Sequence, residues 1–187
     1  MSWINNLRVT VKLTIAFTAI CLVIGVSSFT IYRSLGTIGT TNGWTVHTYV
    51  VLEQLGKLVD GMVNSETGVR GFLISGDTGF LAPFESGQKD YQAAVREVTS
   101  LTSDNPKQQS RIEKIKELGD GWLKEVAQKE IAFMKDPATQ AKGREMEASG
   151  AGKKFMDGLR AVAAEMDQDE RSLLAVRAVE ALSLIHI

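Results

Sequence analysis

The sequence predicts an all-α chain in which an N-terminal transmembrane helix continues into an antiparallel up-down four-helix bundle. Three observations carry that expectation. Residues 13–32 hold no charged side chain. Beyond them, apolar residues recur at helical spacing in four stretches, and those stretches are separated by clusters of Gly, Pro, Asp and Asn. The 187 residues, 44% hydrophobic and 23% charged, suffice for one domain with a proper core plus one further segment, and exclude two large domains.

The apolar segment comes first. As a helix rising about 1.5 Å per residue, residues 13–32 span about 30 Å, the hydrocarbon thickness of a bilayer. Arg8 and Lys12 precede the segment, a lone Arg33 follows it, and residues 34–56 contain no Lys or Arg. The positive-inside rule therefore places residues 1–12 in the cytoplasm and residues 33–181 on the far side. Tyr32 suits an interfacial aromatic, as do Trp44, His47 and Tyr49 near the membrane end. A cleaved signal peptide, with Val26-Ser27-Ser28 as cleavage site, is the competing reading; the run is longer than the usual apolar region of such a peptide. A buried core helix fits less well, because no polar face interrupts the run.

In the first helix beyond the membrane, Val51, Leu55, Leu58, Met62, Ser65, Val69 and Phe72 alternate spacings of four and three, a heptad seam that Val59 and Leu73 widen into a bundle stripe. Gly76-Asp77-Thr78-Gly79 supplies a turn, so this helix is expected to run from the membrane to about residue 75. A second helix carries Phe80, Phe84, Tyr91, Val95, Val98 and Leu101 and stops at Ser103-Asp104-Asn105-Pro106. Pro106 suits a first helical position, Asp104 or Asn105 can cap free amides, and Gln108 is placed to reach back. The third helix carries Ile112, Ile115, Trp122, Val126 and Phe133, flanked by Leu118 and Leu123, until Asp136-Pro137 breaks it. The fourth carries Met146, Phe155, Met156, Leu159, Val162, Met166, Leu173 and Leu174, with a weak first part at Ser149-Gly150-Ala151-Gly152. Four such helices on short turns bury their stripes only against one another.

The last residues, Leu182-Ser183-Leu184-Ile185-His186-Ile187, break the amphipathic pattern. They match the translated end of a transposon adapter used in short-read DNA libraries and are expected to be an artefact; the start of a second membrane helix is the alternative.

Composition narrows the chemistry. A net charge of −1 lacks the cationic excess that phosphate backbones demand, so nucleic acid is not an expected partner. The single Cys21 allows neither a disulfide framework nor a cysteine metal site. His47 has no second ligand at metal spacing, while Asp90, Glu97, Glu113, Glu117 and Glu125 lie among Lys and Arg as solvated surface charge. No catalytic constellation or phosphate loop is present in the sequence, so no enzyme activity, cofactor or metal is expected.

One motif remains. Glu66-Thr67-Gly68-Val69-Arg70-Gly71-Phe72-Leu73-Ile74-Ser75-Gly76-Asp77 is followed by Phe80-Leu81-Ala82-Pro83-Phe84 and by Asp104-Asn105-Pro106-Lys107-Gln108. Glu66 and Arg70 stand in the favoured order for a helical ion pair, worth about 0.3–0.5 kcal/mol if exposed. Pressed against a neighbouring helix, the pair could instead fix register. Both an architectural role and ligand contact are open for Glu66, Arg70, Gly71, Phe72, Leu73, Gly76, Asp77, Asn105, Pro106 and Gln108.

Together these segments resemble the extracellular CHASE sensor domain of the third type over about residues 40–175, with Trp122 where that family often places an aromatic. The resemblance implies a periplasmic four-helix sensor, usually followed by a second membrane helix, a HAMP relay and an output module. Asn6-Leu7-Arg8-Val9-Thr10-Val11-Lys12-Leu13 also resembles the start of many methyl-accepting chemotaxis proteins. The expectation is therefore the input fragment of a bacterial inner-membrane chemoreceptor, lipid around residues 13–32, acting as a homodimer on an unknown small molecule or periplasmic protein. Input to a sensor histidine kinase or diguanylate cyclase, or an anchored helical binding protein without signalling, are the alternatives.

Overall fold

A computed structural model describes residues 8–185. The chain divides into two units: Met1–Thr45 with Arg177–Ile187, and Val46–Val176. All assigned elements among the described residues are helical: α1 (Val9–Ser75), a 3-10 turn (Thr78–Phe80), α2 (Leu81–Leu101), α3 (Pro106–Trp122), a π-helical turn (Leu123–Ala127), α4 (Gln128–Lys135), α5 (Gln140–Ala148) and α6 (Lys153–Ile185).

In the first unit the apolar part of α1 is long and apolar enough to cross a membrane. Its large side chains, Leu13, Phe17, Leu22, Val26 and Phe29 among them, are exposed, as a lipid-facing helix requires. The hydroxyls of Thr14 and Thr30 donate to the carbonyls of Thr10 and Val26 at 3.0 and 2.9 Å. These two hydroxyls are thereby satisfied within the helix, without water. Near the other end of this unit the Arg177 guanidinium lies 5.3 Å from the centre of the Trp44 ring and donates to the Trp44 carbonyl at 3.0 Å. Of the expected adapter residues 182–187, α6 takes in 182–185, and 186 and 187 lie outside the described residues, as do residues 1–7.

The second unit packs four helical stretches antiparallel around one core. Going up α1 from Gly61 to Gly68, the facing backbone of α2 goes down from Tyr91 to Phe84. The Tyr91 hydroxyl donates to the Ile115 carbonyl of α3 at 3.1 Å, while Gln109 reaches the Thr99 carbonyl at 3.0 Å. Lys107 pairs with Asp169 on α6 at 2.7 Å, and Gly121 lies against the Phe155 ring. Arg160 of α6 closes the ring on Glu66 of α1 at 3.2 Å. Every seam residue expected on the first helix, Val51, Leu55, Leu58, Met62, Ser65, Val69 and Phe72, is buried. They meet Val95, Val98, Ile112, Ile115, Trp122, Met156, Leu159 and Met166 in the core.

Several expectations need correction. Phe80 lies in the 3-10 turn, not on the second helix's buried stripe, and is 46% exposed. The third helix is interrupted by the π turn, which spends an extra residue per turn. The apolar face therefore slips by one, so that Met134 is buried where Phe133 was expected and Phe133 is half-buried. The fourth helix is two: α5 ends at Ala148, and Gly150 takes φ +74° before α6 begins at Lys153. A left-handed backbone of that kind ends a helix and is natural to glycine. Leu173, expected on the fourth stripe, is exposed.

Asn105 is the cap of α3, accepting from the Gln108 amide through its side chain at 3.2 Å, with Pro106 in the first turn. Gln108 does not reach back as expected; its side chain is buried against α6. Asn105→Ala is expected to cost about 1 kcal/mol of stability. Lys107→Ala, which removes an exposed ion pair, should change it by less than about 0.5 kcal/mol. Chemical denaturation of the two variants beside the parent separates these outcomes.

Candidate functional site

The expected site residues fall into two groups. Glu66, Arg70, Gly71, Phe72, Leu73, Gly76 and Asp77 gather where α1 ends; Asn105, Pro106 and Gln108 stand at the start of α3, where Gln108 meets Glu170 of α6. Glu170 lies ten residues beyond Arg160 on α6, about 15 Å along that helix. The structure does not bring the two groups together.

The Gln108 group is a joint between helices. Its Nε2 donates to Glu170 Oε1 at 3.1 Å, both residues being buried, and its Oε1 accepts from Arg111 at 3.3 Å. Arg111 and Lys107 both bind Asp169 at 2.7 Å. These hydrogen bonds from Lys107 and Arg111 hold the Asp169 carboxyl below its ordinary pKa.

The α1 end is built differently. Gly76 takes φ +72° and its amide returns to the Phe72 carbonyl at 2.8 Å, closing the helix. Asp77 then caps the 3-10 turn by accepting from the Gly79 amide at 2.8 Å. That turn lays the Phe80 ring against Gly71, where a Cβ would lie only 2.5 Å from the ring. Phe72 and Leu73 belong to the core. Much of the motif is thus explained by the making of a turn.

Glu66 and Arg70 do more. Glu66 is only 8% exposed. One of its oxygens binds Arg70 at 3.1 Å and the other binds Arg160 at 3.2 Å. Arg70 in turn donates through Nε to Glu147 of α5. Burial acts to lower the Arg70 pKa, but the hydrogen bond to Glu147 and the charges of Glu66, Glu147 and Glu130 outweigh it and hold the value above normal. A chain Arg160–Glu66–Arg70–Glu147 therefore ties α6, α1 and α5 together.

Inside this chain lies Glu130, on α4 directly after the π turn. It is 1% exposed and its Oε1 has no hydrogen-bond partner. Burial, with the charges of Glu147 and Glu66 and against that of Arg70, raises its pKa to about 7. A carboxyl in this setting exchanges its proton near neutrality.

Beside the chain lies a cleft of about 320 Å³, lined by Arg70, Leu73, Ile74, Arg144, Glu147 and Ala148. Arg144 enters it from α5, its Nε donating to the Leu73 carbonyl at 2.8 Å. Among the described residues no group of three or more His, Cys, Asp or Glu side chains could hold a metal ion.

Glu130, Arg144, Glu147, Arg160 and Glu170 were not singled out by the sequence. Glu130 had a readable signal: it falls four residues after Val126, on the face that carries the core. The partners on α5 and α6 had none, because their roles depend on tertiary register.

The family model of the CHASE3 domain matches residues 41–180. No curated protein and no solved structure matches the chain.

Proposed function

The chain belongs to the CHASE3 domain family, whose model covers most of it, and on that premise we propose that it is the input of a chemoreceptor of the methyl-accepting type. CHASE3 is an extracellular sensor domain of signalling proteins, found in chemoreceptors and histidine kinases, so an extracellular sensing role is established at that level. The membrane-anchored reading is carried by one observation: the matched region, residues 41–180, follows the charge-free segment 13–32, of membrane-spanning length, on the same helix α1. In this reading residues 13–32 cross the bacterial inner membrane with the N-terminus cytoplasmic, and the helical core stands in the periplasm as a homodimer. A stimulus then shifts α1 against α6 between two arrangements. The run from Asn6 to Leu13 favours a chemoreceptor output over a histidine kinase or diguanylate cyclase. The domain senses and carries no catalysis of its own.

Topology tests this directly. A Cys21→Ser chain carrying Lys89→Cys, at an exposed position of α2, is expressed in bacteria and exposed to a membrane-impermeant maleimide after outer-membrane permeabilisation. Labelling of residue 89 in otherwise intact cells is expected. Labelling only after lysis would overturn the orientation. Joined through an added second membrane helix to chemoreceptor, kinase and cyclase output modules in the cytoplasm, the chain is expected to drive the chemoreceptor output; response through the kinase or cyclase alone would overturn that choice.

A further inference from the structure

The cleft beside Arg70 has the marks of a ligand site for one kind of molecule. Its walls are mostly carbon, from Leu73, Ile74 and Ala148, and Ile74 is 81% exposed. Arg144 stands over these walls in a fixed pose. The Leu73 carbonyl belongs to the last turn of α1, where carbonyls lack an intrahelical partner and the helix dipole favours a cation. Arg144 Nε satisfies that carbonyl at 2.8 Å, which fixes the plane of the guanidinium. Arg70, by contrast, is occupied by Glu66 and Glu147. Among the described residues no carboxylate forms an ion pair with Arg144, so its two Nη groups are available. Two donors in one plane are the geometry that grips a carboxylate through both oxygens.

Charge and size narrow the ligand further. Glu147 lines the cleft, and Glu66 is paired with Arg70 on its wall. A second negative charge on the ligand would meet the Glu147 and Glu66 carboxylates, which disfavours dianions such as phosphate. The neighbouring arginines disfavour a cation. At about 30 Å³ for a small group, the space holds on the order of ten non-hydrogen atoms.

We propose that this cleft binds a small monocarboxylic acid with an apolar body, its carboxylate on the Arg144 Nη pair and its body against Leu73, Ile74 and Ala148. The proposal deepens the receptor reading by naming the class of stimulus. It also gives the stimulus a lever, since the site joins the end of α1 to α5 beside the Glu66–Arg70–Glu147 chain.

The test is isothermal titration of the full chain in lipid nanodiscs with phenylacetate and hexanoate, against phenylacetamide and phenethylamine. At least one of the two carboxylates is expected to bind saturably at millimolar concentration or below, and the amide and amine at least tenfold more weakly. Arg144→Gln should weaken the carboxylate at least tenfold and Arg144→Lys less. Ala148→Trp, at an exposed position of α5, should fill the cleft and abolish binding while leaving Arg144 in place; it decides the matter if Arg144→Gln melts early. Absence of saturable carboxylate binding, equal binding by Ala148→Trp, or preference for the amine overturns the assignment. Maleimide labelling of residue 89 does not depend on this ligand, so the ligand class and the membrane orientation fail separately.

Discussion

Gly87→Ala is expected to destabilise the helical core by about 3 kcal/mol, lowering the melting temperature by roughly 10 °C. Elsewhere in a helix the same exchange stabilises. Alanine is the better helix former by about 0.5–1 kcal/mol, and at Gly56, where a new Cβ meets nothing within 4 Å, Gly56→Ala should raise the melting temperature by a few degrees. At Gly87 the new Cβ would lie 2.4 Å from the Gly61 carbonyl oxygen and 2.8 Å from the Ser65 amide nitrogen. Those are backbone atoms of α1 and cannot rotate away. Relief requires α1 and α2 to move apart, and the same close approach is made at Gly61, where a Cβ would lie 2.7 Å from the Tyr91 nitrogen, and at Gly68, where one would lie 2.5 Å from the Phe84 nitrogen. Separation at one point therefore loosens the packing at all three. Circular dichroism melting of both variants beside the parent reads the opposite signs. Equal stabilisation by the two substitutions would show that the helices are not in glycine contact.

The pairing of α1 with α2 also shows what was legible beforehand. The heptad of α1 is written in Val51, Leu55, Leu58, Met62, Val69 and Phe72, and all are buried. A seven-residue gap separates Phe84 from Tyr91 in the second stripe. The gap is filled by Gly87, and its emptiness is what admits the α1 backbone. Glycine carries no apolar signal, so a reading by hydrophobic spacing passes over the tightest contact in the core. The π turn was hidden for a related reason. Leu123–Ala127 is composed of ordinary helix formers, and only the displacement of the buried position from Phe133 to Met134 betrays it.

At the candidate site the local chemistry was readable and the long-range chemistry was not. Gly76, Asp77, Asn105 and Pro106 perform turn and cap roles that their residue types dictate. Glu66 and Arg70 form the pair their spacing predicts. Their further partners, Arg160 and Glu147, are 94 and 77 residues away from them. Spacing within a helix cannot name such partners. Gln108 was read as a local cap because it follows Asn105 by three. It turns inward instead, because the buried Glu170 carboxylate on α6 offers its amide a charge-assisted acceptor.

Glu130→Gln is expected to change how stability depends on pH. The carboxyl has an ordinary pKa of 4.5 when exposed and about 7 in the folded chain. The folded state therefore holds this proton more tightly than the unfolded chain does. Below about pH 4.5 the group is neutral in both states and exacts no penalty. As pH rises from 4.5 to 7 the unfolded chain gives up its proton first, and folding is progressively disfavoured. Above 7 the full penalty applies, on the order of 3 kcal/mol at about 1.4 kcal/mol per pH unit. The groups facing Glu130 set the direction: Glu147 from α5 and Glu66 from α1 favour the proton, and Arg70 from α1 opposes it without overcoming burial. Glutamine keeps the shape and removes the charge. At pH 8 Glu130→Gln should exceed the parent by about 3 kcal/mol, or roughly 10 °C in melting temperature. At pH 4.5 the two should differ by less than about 1 kcal/mol. The other carboxylates titrate in both proteins, so the difference between the two pH profiles isolates this one. A difference that stays flat from pH 4.5 to 8, or that grows toward acid, would mean that Glu130 is not a buried carboxyl holding a proton near neutrality.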